Sequence, residues 1–215
     1  MARQPLAVDF FLMAHDPFDD GRLRVGTELL GCGLVGAELA ELMLAHRLGI
    51  DGDDLVVLDP GGQLDEVDDY VLEAVGSQES VHPVRTWIEP LQDGLYALVA
   101  RKLVASGTVR RQQATRRIGR GRQADRFPPN DLLAACRPQQ NLEELLRAPR
   151  NLTLAGGMLA ALIGVLGIDG LLTPDLDRTF LRELLAEIEQ NLPTDLRAVC
   201  DGVRLVTAEV SLRAR

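Results

Sequence analysis

The spacing of apolar residues predicts a series of helices, two of which we expect to be central and packed against each other. Over 27–47, apolar side chains such as Leu30, Leu34 and Met43 recur at helical spacing. Small residues thin one region of this helix, namely Gly31, Gly33, Gly36, Ala37 and Ala40. Each glycine costs about 1 kcal/mol of helix stability relative to alanine, so we expect a neighbouring helix to approach closely there. Residues 151–168 carry no charge, and we expect this segment to be that neighbour.

The uncharged segment 151–168 also has to be weighed as a membrane span. Its 18 residues are the lower limit of a transmembrane helix. Four glycines interrupt it, Asn151 and Thr153 are polar, and Asp169 follows directly. A helix that is apolar on all sides suits the centre of a bundle equally well. We therefore expect a buried core helix here rather than a membrane-touching element.

The other segments predict further helices and two small hairpins. Residues 5–14, 64–76 and 84–106 are predicted helices, and the third could break near Pro90 and Gly94. Caps and prolines predict three more helices, which begin near Asn130 or Asp131 (with an interruption at Pro138), near Pro174 or Asp175, and at Pro193. The turn residues Asp51-Gly52-Asp53-Asp54 predict one hairpin, and the strand pair 108–113 and 119–127 predicts another.

Composition favours a single, mostly α domain. Of the 215 residues, 46% are hydrophobic but only 4% are aromatic. A core with so few rings is built from leucine, alanine and valine, which favours helices over an all-β sandwich. No repeat or low-complexity linker divides the chain. The three distant cysteines, Cys32, Cys136 and Cys200, predict buried inert thiols in a reducing cytosol rather than disulfides or a zinc site.

Charge is distributed unevenly along the chain. The formal net charge is −9, yet residues 101–126 contain nine basic side chains and one acid, Asp125. Lys102 is the only lysine of the chain, and arginine binds phosphate groups through two parallel hydrogen bonds. The overall acidity argues against a general nucleic-acid binder. The local excess indicates either contact with an anionic partner at one place or a solvated, arginine-rich hairpin.

The sequence contains no recognisable catalytic or metal-binding motif. His15, His46 and His82 lie in unrelated elements without metal spacing, and no nucleophile motif accompanies them. The aspartates of 16–20 resemble a cation loop only superficially, because the glycine and distal glutamate of such loops are missing. We therefore expect a protein that is not an enzyme and that uses no metal or cofactor.

A pair of leucines stands at a predicted turn. In GIDGLLTPD, Leu171 and Leu172 lie between Gly170 and Pro174, where a turn that meets only water would be polar. The two leucines either fold back onto the core or form an exposed tip that enters a membrane. An exposed apolar tip beside a basic patch is what a peripheral membrane protein needs.

The order of these features resembles the Golgi phosphoprotein 3 family, including its actinobacterial relatives. The resemblance covers nearly the whole chain. It is carried by FFLMAHD, GCGLVGAELAELMLAHRLGI, DLVVLDP, TWIEPL, LVASGTVRR and RRIGRGRQADRFPPND, and by the uncharged helix near the end. It implies a mostly helical single domain with a hydrophobic central four-helix bundle, ringed by amphipathic helices and carrying small β-hairpins.

The resemblance also implies a function. Well-known family members are peripheral membrane proteins that bind phosphatidylinositol 4-phosphate and act as adaptors for Golgi glycosyltransferases. Their headgroup pocket uses a tryptophan and an arginine early in the chain, and these positions fall near Gly26 and on Val35 here. Most of that pocket is therefore not reproduced, while binding of anionic lipids in general remains open.

These considerations give a set of candidate residues. The anion-binding candidates are Arg22, Arg24, Arg116, Arg117, Arg120, Arg122 and Arg150. The candidate membrane-inserting tip is Leu171 and Leu172. Such a protein is expected in the cytoplasm, peripherally on a membrane, with client membrane enzymes as partners; its lipid, clients and oligomeric state are not specified by the sequence.

Three other readings stay open. A long helix followed by a basic two-stranded hairpin also describes a winged helix, whose wing can follow the phosphates of DNA. Against this, residues 84–106 carry only Arg85, Arg101 and Lys102 as basic side chains. A scaffold that binds no lipid and an enzyme without a known motif are the remaining alternatives.

Overall fold

The computed structural model describes residues 3–61, 65–113, 125–172 and 176–213. Of these residues, 65% are helical. The helices are α1 (Leu6–Ala14), α2 (Thr27–Leu44), α3 (Glu66–Gly76), α4 (Val84–Ala105), α5 (Leu132–Arg147), α6 (Leu154–Val165), α7 (Arg178–Gln190) and α8 (Thr194–Arg213). Two 3₁₀ turns, Pro149–Asn151 and Asp169–Leu171, flank α6.

Two small antiparallel sheets complete the fold. The strands are β1 (His15–Asp16), β2 (Arg22–Leu23), β3 (Leu48–Asp51), β4 (Asp54–Val57) and β5 (His82–Pro83). The first two form a hairpin, and the other three form a sheet in the order β3-β4-β5. The predicted turn at 51–54 is confirmed, since Gly52 provides the positive φ that links β3 to β4.

The glycines of α2 seat four other helices against it. A Cβ on Gly33 would lie 2.1 Å from the Phe10 ring of α1, and one on Gly31 would lie 2.7 Å from the Gln92 side chain of α4. A Cβ on Gly36 would lie 2.8 Å from Leu162 of α6 and 2.9 Å from Val203 of α8. The predicted close packing of α2 against α6 is therefore confirmed, and α2 is the central helix of a single domain with one continuous core.

Helix α6 is an interior helix, as expected. Its residues Met158, Ala160, Leu162 and Ile163 are fully buried. Thr153 caps its start by accepting a hydrogen bond from the backbone N–H of Gly156. With 12 residues it spans about 18 Å, well short of the roughly 30 Å of a bilayer core. Within the described ranges, no helix is both long and apolar enough to cross a membrane.

Several local predictions are wrong in ways that tertiary packing explains. Helix α4 does not break near Pro90 and Gly94; the missing Cβ at Gly94 instead makes room for the Tyr70 ring of α3. Helix α5 is not interrupted by Pro138, which is buried within it. The segment with the aspartates of 16–20, for which no hairpin is predicted, forms the β1–β2 hairpin. Cys136 is only half-buried, although Cys32 and Cys200 are buried as predicted.

Candidate anion-binding surface

The β1–β2 hairpin packs against Phe127, which directly follows the arginine-rich segment, residues 109–126. Gly21 has a φ of 63°, and a Cβ there would lie 2.0 Å from the backbone carbonyl carbon of Phe127. The backbone N–H of Phe127 donates to the carbonyl oxygen of Gly21 at 3.0 Å. Isolated bridges pair Val109 with Pro129 and Gln112 with Arg126. Only glycine fits this close approach, which fixes the hairpin to the base of the arginine-rich segment.

Beneath this base, the aromatic rings of Phe11, Tyr96 and Phe127 pack together with His15. The Phe11 ring stacks on His15 with ring centroids 4.2 Å apart, and Phe127 meets both rings edge-on. His15 Nδ1 lies 2.7 Å from the carbonyl oxygen of Phe11. Burial lowers the pKa of His15 to about 4, so it is a neutral packing residue and not a cation of the surface.

At the base of the arginine-rich segment, Arg22 and Arg126 share the carboxylate of Asp19. Asp19 accepts from Arg126 at 3.3 Å and lies 3.5 Å from Arg22, with a different oxygen facing each. Arg111 pairs with Asp125 through two of its nitrogens. Arg110 is exposed and has no ion pair among the described residues, and its backbone N–H donates to Pro128 O. Among these described groups, Arg110 has no carboxylate partner, and Asp19 balances only one of the two arginines that it contacts.

The Arg24 side chain links the β1–β2 hairpin to α5 and to the 3₁₀ turn Asp169–Leu171. Its Nη1 donates to Gln139 Oε1 of α5 at 3.1 Å, and its Nη2 donates to the carbonyl oxygen of Leu171 at 3.3 Å. Gln139 in turn donates to Glu143 at 2.8 Å. Both acceptors of the Arg24 guanidinium are neutral, so its positive charge is not cancelled by direct contact with a carboxylate.

Arg150 lies apart from Arg22 and Arg24. It is exposed on the 3₁₀ turn beyond the end of α5 and has no ion pair within the described ranges. The end of α5 at Arg147 is eight residues, or roughly 12 Å, beyond Gln139. Among the described residues, Arg22, Arg24 and Arg150 have no partner in common.

The leucine tip predicted from the sequence is not exposed. Leu171 and Leu172 are 4% and 5% exposed, so the prediction that they form an exposed membrane-inserting tip is wrong. The 3₁₀ turn folds them onto the core, and Arg24 holds it from one side through Leu171 O. On the other side the carboxylate of buried Asp169 accepts from Arg182. Of the remaining candidates, Arg116, Arg117, Arg120 and Arg122 lie outside the described residues.

Large apolar side chains that the sequence analysis did not single out stand on this surface. Phe18, in the β1–β2 turn, is 78% exposed, and Leu133, in the first turn of α5, is 76% exposed. Leu132 beside it is exposed to 44%. The available signal was a phenylalanine inside the polar turn DPFDDG, and two leucines directly after the helix cap Asp131.

The open clefts of the described structure do not suit an anion. A cleft of about 480 Å³ between the start of α6 and α7 is lined by apolar residues and by Glu187. A second, of about 450 Å³, contains Arg182 and Arg204, but Asp169 and Glu189 pair with them. Neither cleft offers an uncompensated positive charge.

Two carboxyl groups with raised pKa values, Glu38 and Asp9, lie on α2 and α1. Glu38 is fully buried, hydrogen-bonded to Asp68, and one of its oxygens has no partner. Burial, followed by the nearby Asp68, raises the pKa of Glu38 well above its ordinary value. Burial likewise raises the pKa of Asp9 on α1 to about 7. Within the described ranges, no group of three or more His, Cys, Asp or Glu could hold a metal ion.

Comparison with known protein families finds a match over nearly the whole chain. The family described as Golgi phosphoprotein 3 (GPP34) matches residues 6–204. A search of curated proteins finds no match. The match covers the β1–β2 hairpin, the arginine-rich segment and the helices that carry them.

Proposed function

The chain belongs to the Golgi phosphoprotein 3 family, and on that premise we propose that it is a peripheral membrane protein that binds anionic lipid headgroups. The observation that carries the proposal is the arginine excess of residues 109–126, which hold seven arginines and one acid. Its base is fixed rigidly to the folded body at Gly21 and Phe127. Near an anionic surface each such arginine contributes about 1 kcal/mol.

The proposal extends to a phosphoinositide as the preferred lipid and to an adaptor role for membrane enzymes on the cytoplasmic side. Arginine's planar guanidinium favours a phosphomonoester, which accepts two parallel hydrogen bonds. Because Gly26 and Val35 stand where the family's early tryptophan and arginine fall, any such preference would have to come from other arginines. The proposal assigns no catalytic residue.

Nucleic-acid binding is the competing function, and the ion pairs of α4 count against it. In a winged helix the helix before the wing carries base-reading or phosphate-binding side chains. Here Arg101 and Lys102, near the end of α4, pair with Glu66 and Asp65 of α3. Those two charges are already compensated within the protein.

Vesicle co-sedimentation tests the proposal. We expect binding to phosphatidylserine vesicles at low salt, little binding to phosphatidylcholine vesicles, and tighter binding when phosphatidylinositol 4-phosphate is added. Raising the salt from 0.05 to 0.5 M screens the charges and should weaken binding to phosphatidylserine. A labelled DNA duplex of equal phosphate concentration serves as the competitor. Binding to the duplex alone would replace the lipid proposal with the nucleic-acid one.

A further inference from the structure

The proposed lipid-binding function raises the question of which side chains enter the bilayer, since Leu171 and Leu172 are buried. We propose that Phe18 and Leu133 form the membrane-inserting patch of this protein, and that Arg110 and Arg137 flank it and contact lipid phosphates. The inference rests on the proposed function and adds to it the apolar part of the contact.

The turn that carries Phe18 is held so that its side chain points away from the core. Asp16 accepts a hydrogen bond from the backbone N–H of Phe18 at 2.9 Å, and its carbonyl oxygen accepts from the N–H of Gly21 at 2.9 Å. Gly21 is in turn seated on Phe127. The turn is therefore braced at both ends, while Phe18 itself remains 78% exposed. Ordering a large ring in water has no stabilising value for the isolated fold.

Leu133 is presented by a capped helix end on the same side of the molecule. The side chain of Asp131 accepts from the backbone N–H of Leu133 at 2.9 Å and of Ala134 at 3.1 Å. Gln139, further along α5, accepts from Arg24, the residue after β2, at 3.1 Å, and Phe127, four residues before Asp131, donates its backbone N–H to Gly21 O of the hairpin at 3.0 Å. The first turn of α5 thus lies beside the β1–β2 hairpin, and Phe18 and Leu133 face solvent from neighbouring elements.

The charges around the two apolar side chains favour an anionic bilayer as the occupant. Arg137 lies one helical turn beyond Leu133, is exposed, and like Arg110 has no ion pair among the described residues. Of three nearby acids, Asp19 is paired with two arginines, whereas Asp16 and Asp131 accept from backbone N–H groups and keep their negative charge. Asp20 remains exposed in the turn and opposes the contact. Apolar side chains beside uncompensated arginines match a headgroup region, where phosphates lie just above acyl chains.

Tryptophan fluorescence can report the insertion directly. Trp87 is the only tryptophan and is buried, so wild-type emission should be insensitive to lipid. In Phe18→Trp, vesicles of phosphatidylcholine and phosphatidylserine with brominated acyl chains should quench the new emission by at least half. The matched control is Val81→Trp, because Val81 is 57% exposed and lies next to β5 at the start of α4. The 22 residues of α4, about 33 Å, separate it from the arginine-rich segment that follows the other end of this helix. The emission of Val81→Trp should not change.

The outcomes separate this inference from the proposed function. If Phe18→Trp sediments with the vesicles but is not quenched, the patch is not inserted, and lipid binding by charge stands alone. If neither variant nor the wild type sediments at low salt, the proposed function itself is wrong. Quenching of Val81→Trp to the same extent would show nonspecific embedding and overturn the assignment. Concentration-dependent dimers in sedimentation velocity without lipid, abolished by Phe18→Ser, would assign the patch to a second copy of the chain instead.

A paired substitution gives the second readout. Phe18→Ser with Leu133→Ser should reduce vesicle partitioning in 0.5 M salt about tenfold or more, because the apolar contact persists when charges are screened. Leu58→Ser with Val81→Ser removes two apolar side chains elsewhere that are 58% and 57% exposed and should leave partitioning unchanged. Asp20→Asn should strengthen binding at low salt, and asparagine tolerates the positive φ of 48° at this position. Equal partitioning of both double variants would overturn the proposal.

Discussion

Around Gly36 the interior brings α2, α6 and α8 so close together that one added methyl group would meet Leu162 and Val203 at under 3 Å. Around Asp19 the surface places two guanidinium groups on a single carboxylate at 3.3 and 3.5 Å. The interior is specified by shape at each position, so one substitution there should be felt strongly. The surface is specified by summed charge, so single changes there should be tolerated and only collective ones should alter binding.

The sharpest test of the interior is Leu162→Asp. Leu162 is fully buried against the glycine-rich face of α2 at Gly36. An unpaired charge there costs several kcal/mol, which is about the stability of a small domain. We expect loss of cooperative thermal unfolding in circular dichroism. Leu154→Asp, on the half-exposed first turn of the same helix, is the control and should unfold close to the wild-type temperature. A well-folded Leu162→Asp protein would mean that α6 is not the core helix.

The next largest effect is expected at the 3₁₀ turn. Leu171→Ala with Leu172→Ala removes two buried side chains, each of which costs about 2–5 kcal/mol when truncated in a core. Chemical denaturation should show the loss. If the double variant kept full stability and instead lost vesicle binding in high salt, the leucines would be a membrane tip after all.

Gly36→Ala should cost less, about 1–3 kcal/mol, because Leu162 and Val203 must shift to admit the methyl group. Gly170→Ala is the matched control, since a Cβ there meets no atom within 4 Å. The comparison of the two denaturation midpoints checks the claim that α2 is shaped by its glycines. Equal midpoints would show that the helices can separate without loss.

The sequence predicts the interior better than the surface for a physical reason. Gly36 leaves room for a close neighbour, and the uncharged stretch of α6 needs a buried position. Together these two features predict that α2 and α6 pack against each other. Pro138 and Leu171 show the limit: tertiary contacts decide whether a proline ends a helix or a turn leucine is exposed, and such contacts are not visible in local spacing. Phe18 was passed over because a lone apolar residue in a polar turn is common, and only the braced turn makes it informative.

The smallest stability effect concerns pH. An unfolded Asp9 ionises near pH 3.8, whereas burial raises the folded pKa to about 7. Its contribution to stability is fully present below pH 3.8 and is lost as the pH rises through about 7. Asp9→Asn should therefore unfold with a smaller difference between pH 4.5 and 7.5 than the wild type. Glu66→Gln, at an exposed side chain, is the control. An unchanged pH profile in Asp9→Asn would show that Asp9 is ionised in the fold.

The surface is tested by changing four arginines together. Replacing Arg116, Arg117, Arg120 and Arg122 with serine removes four of the seven arginines of 109–126. Replacement of the same four by lysine keeps the charge but not the planar, two-pronged hydrogen bonding. In low-salt co-sedimentation with phosphatidylserine vesicles, the serine variant should lose binding, the lysine variant should retain it, and both should melt at the wild-type temperature. Wild-type binding by the serine variant would contradict the claim that this arginine-rich segment makes the protein a membrane-binding one.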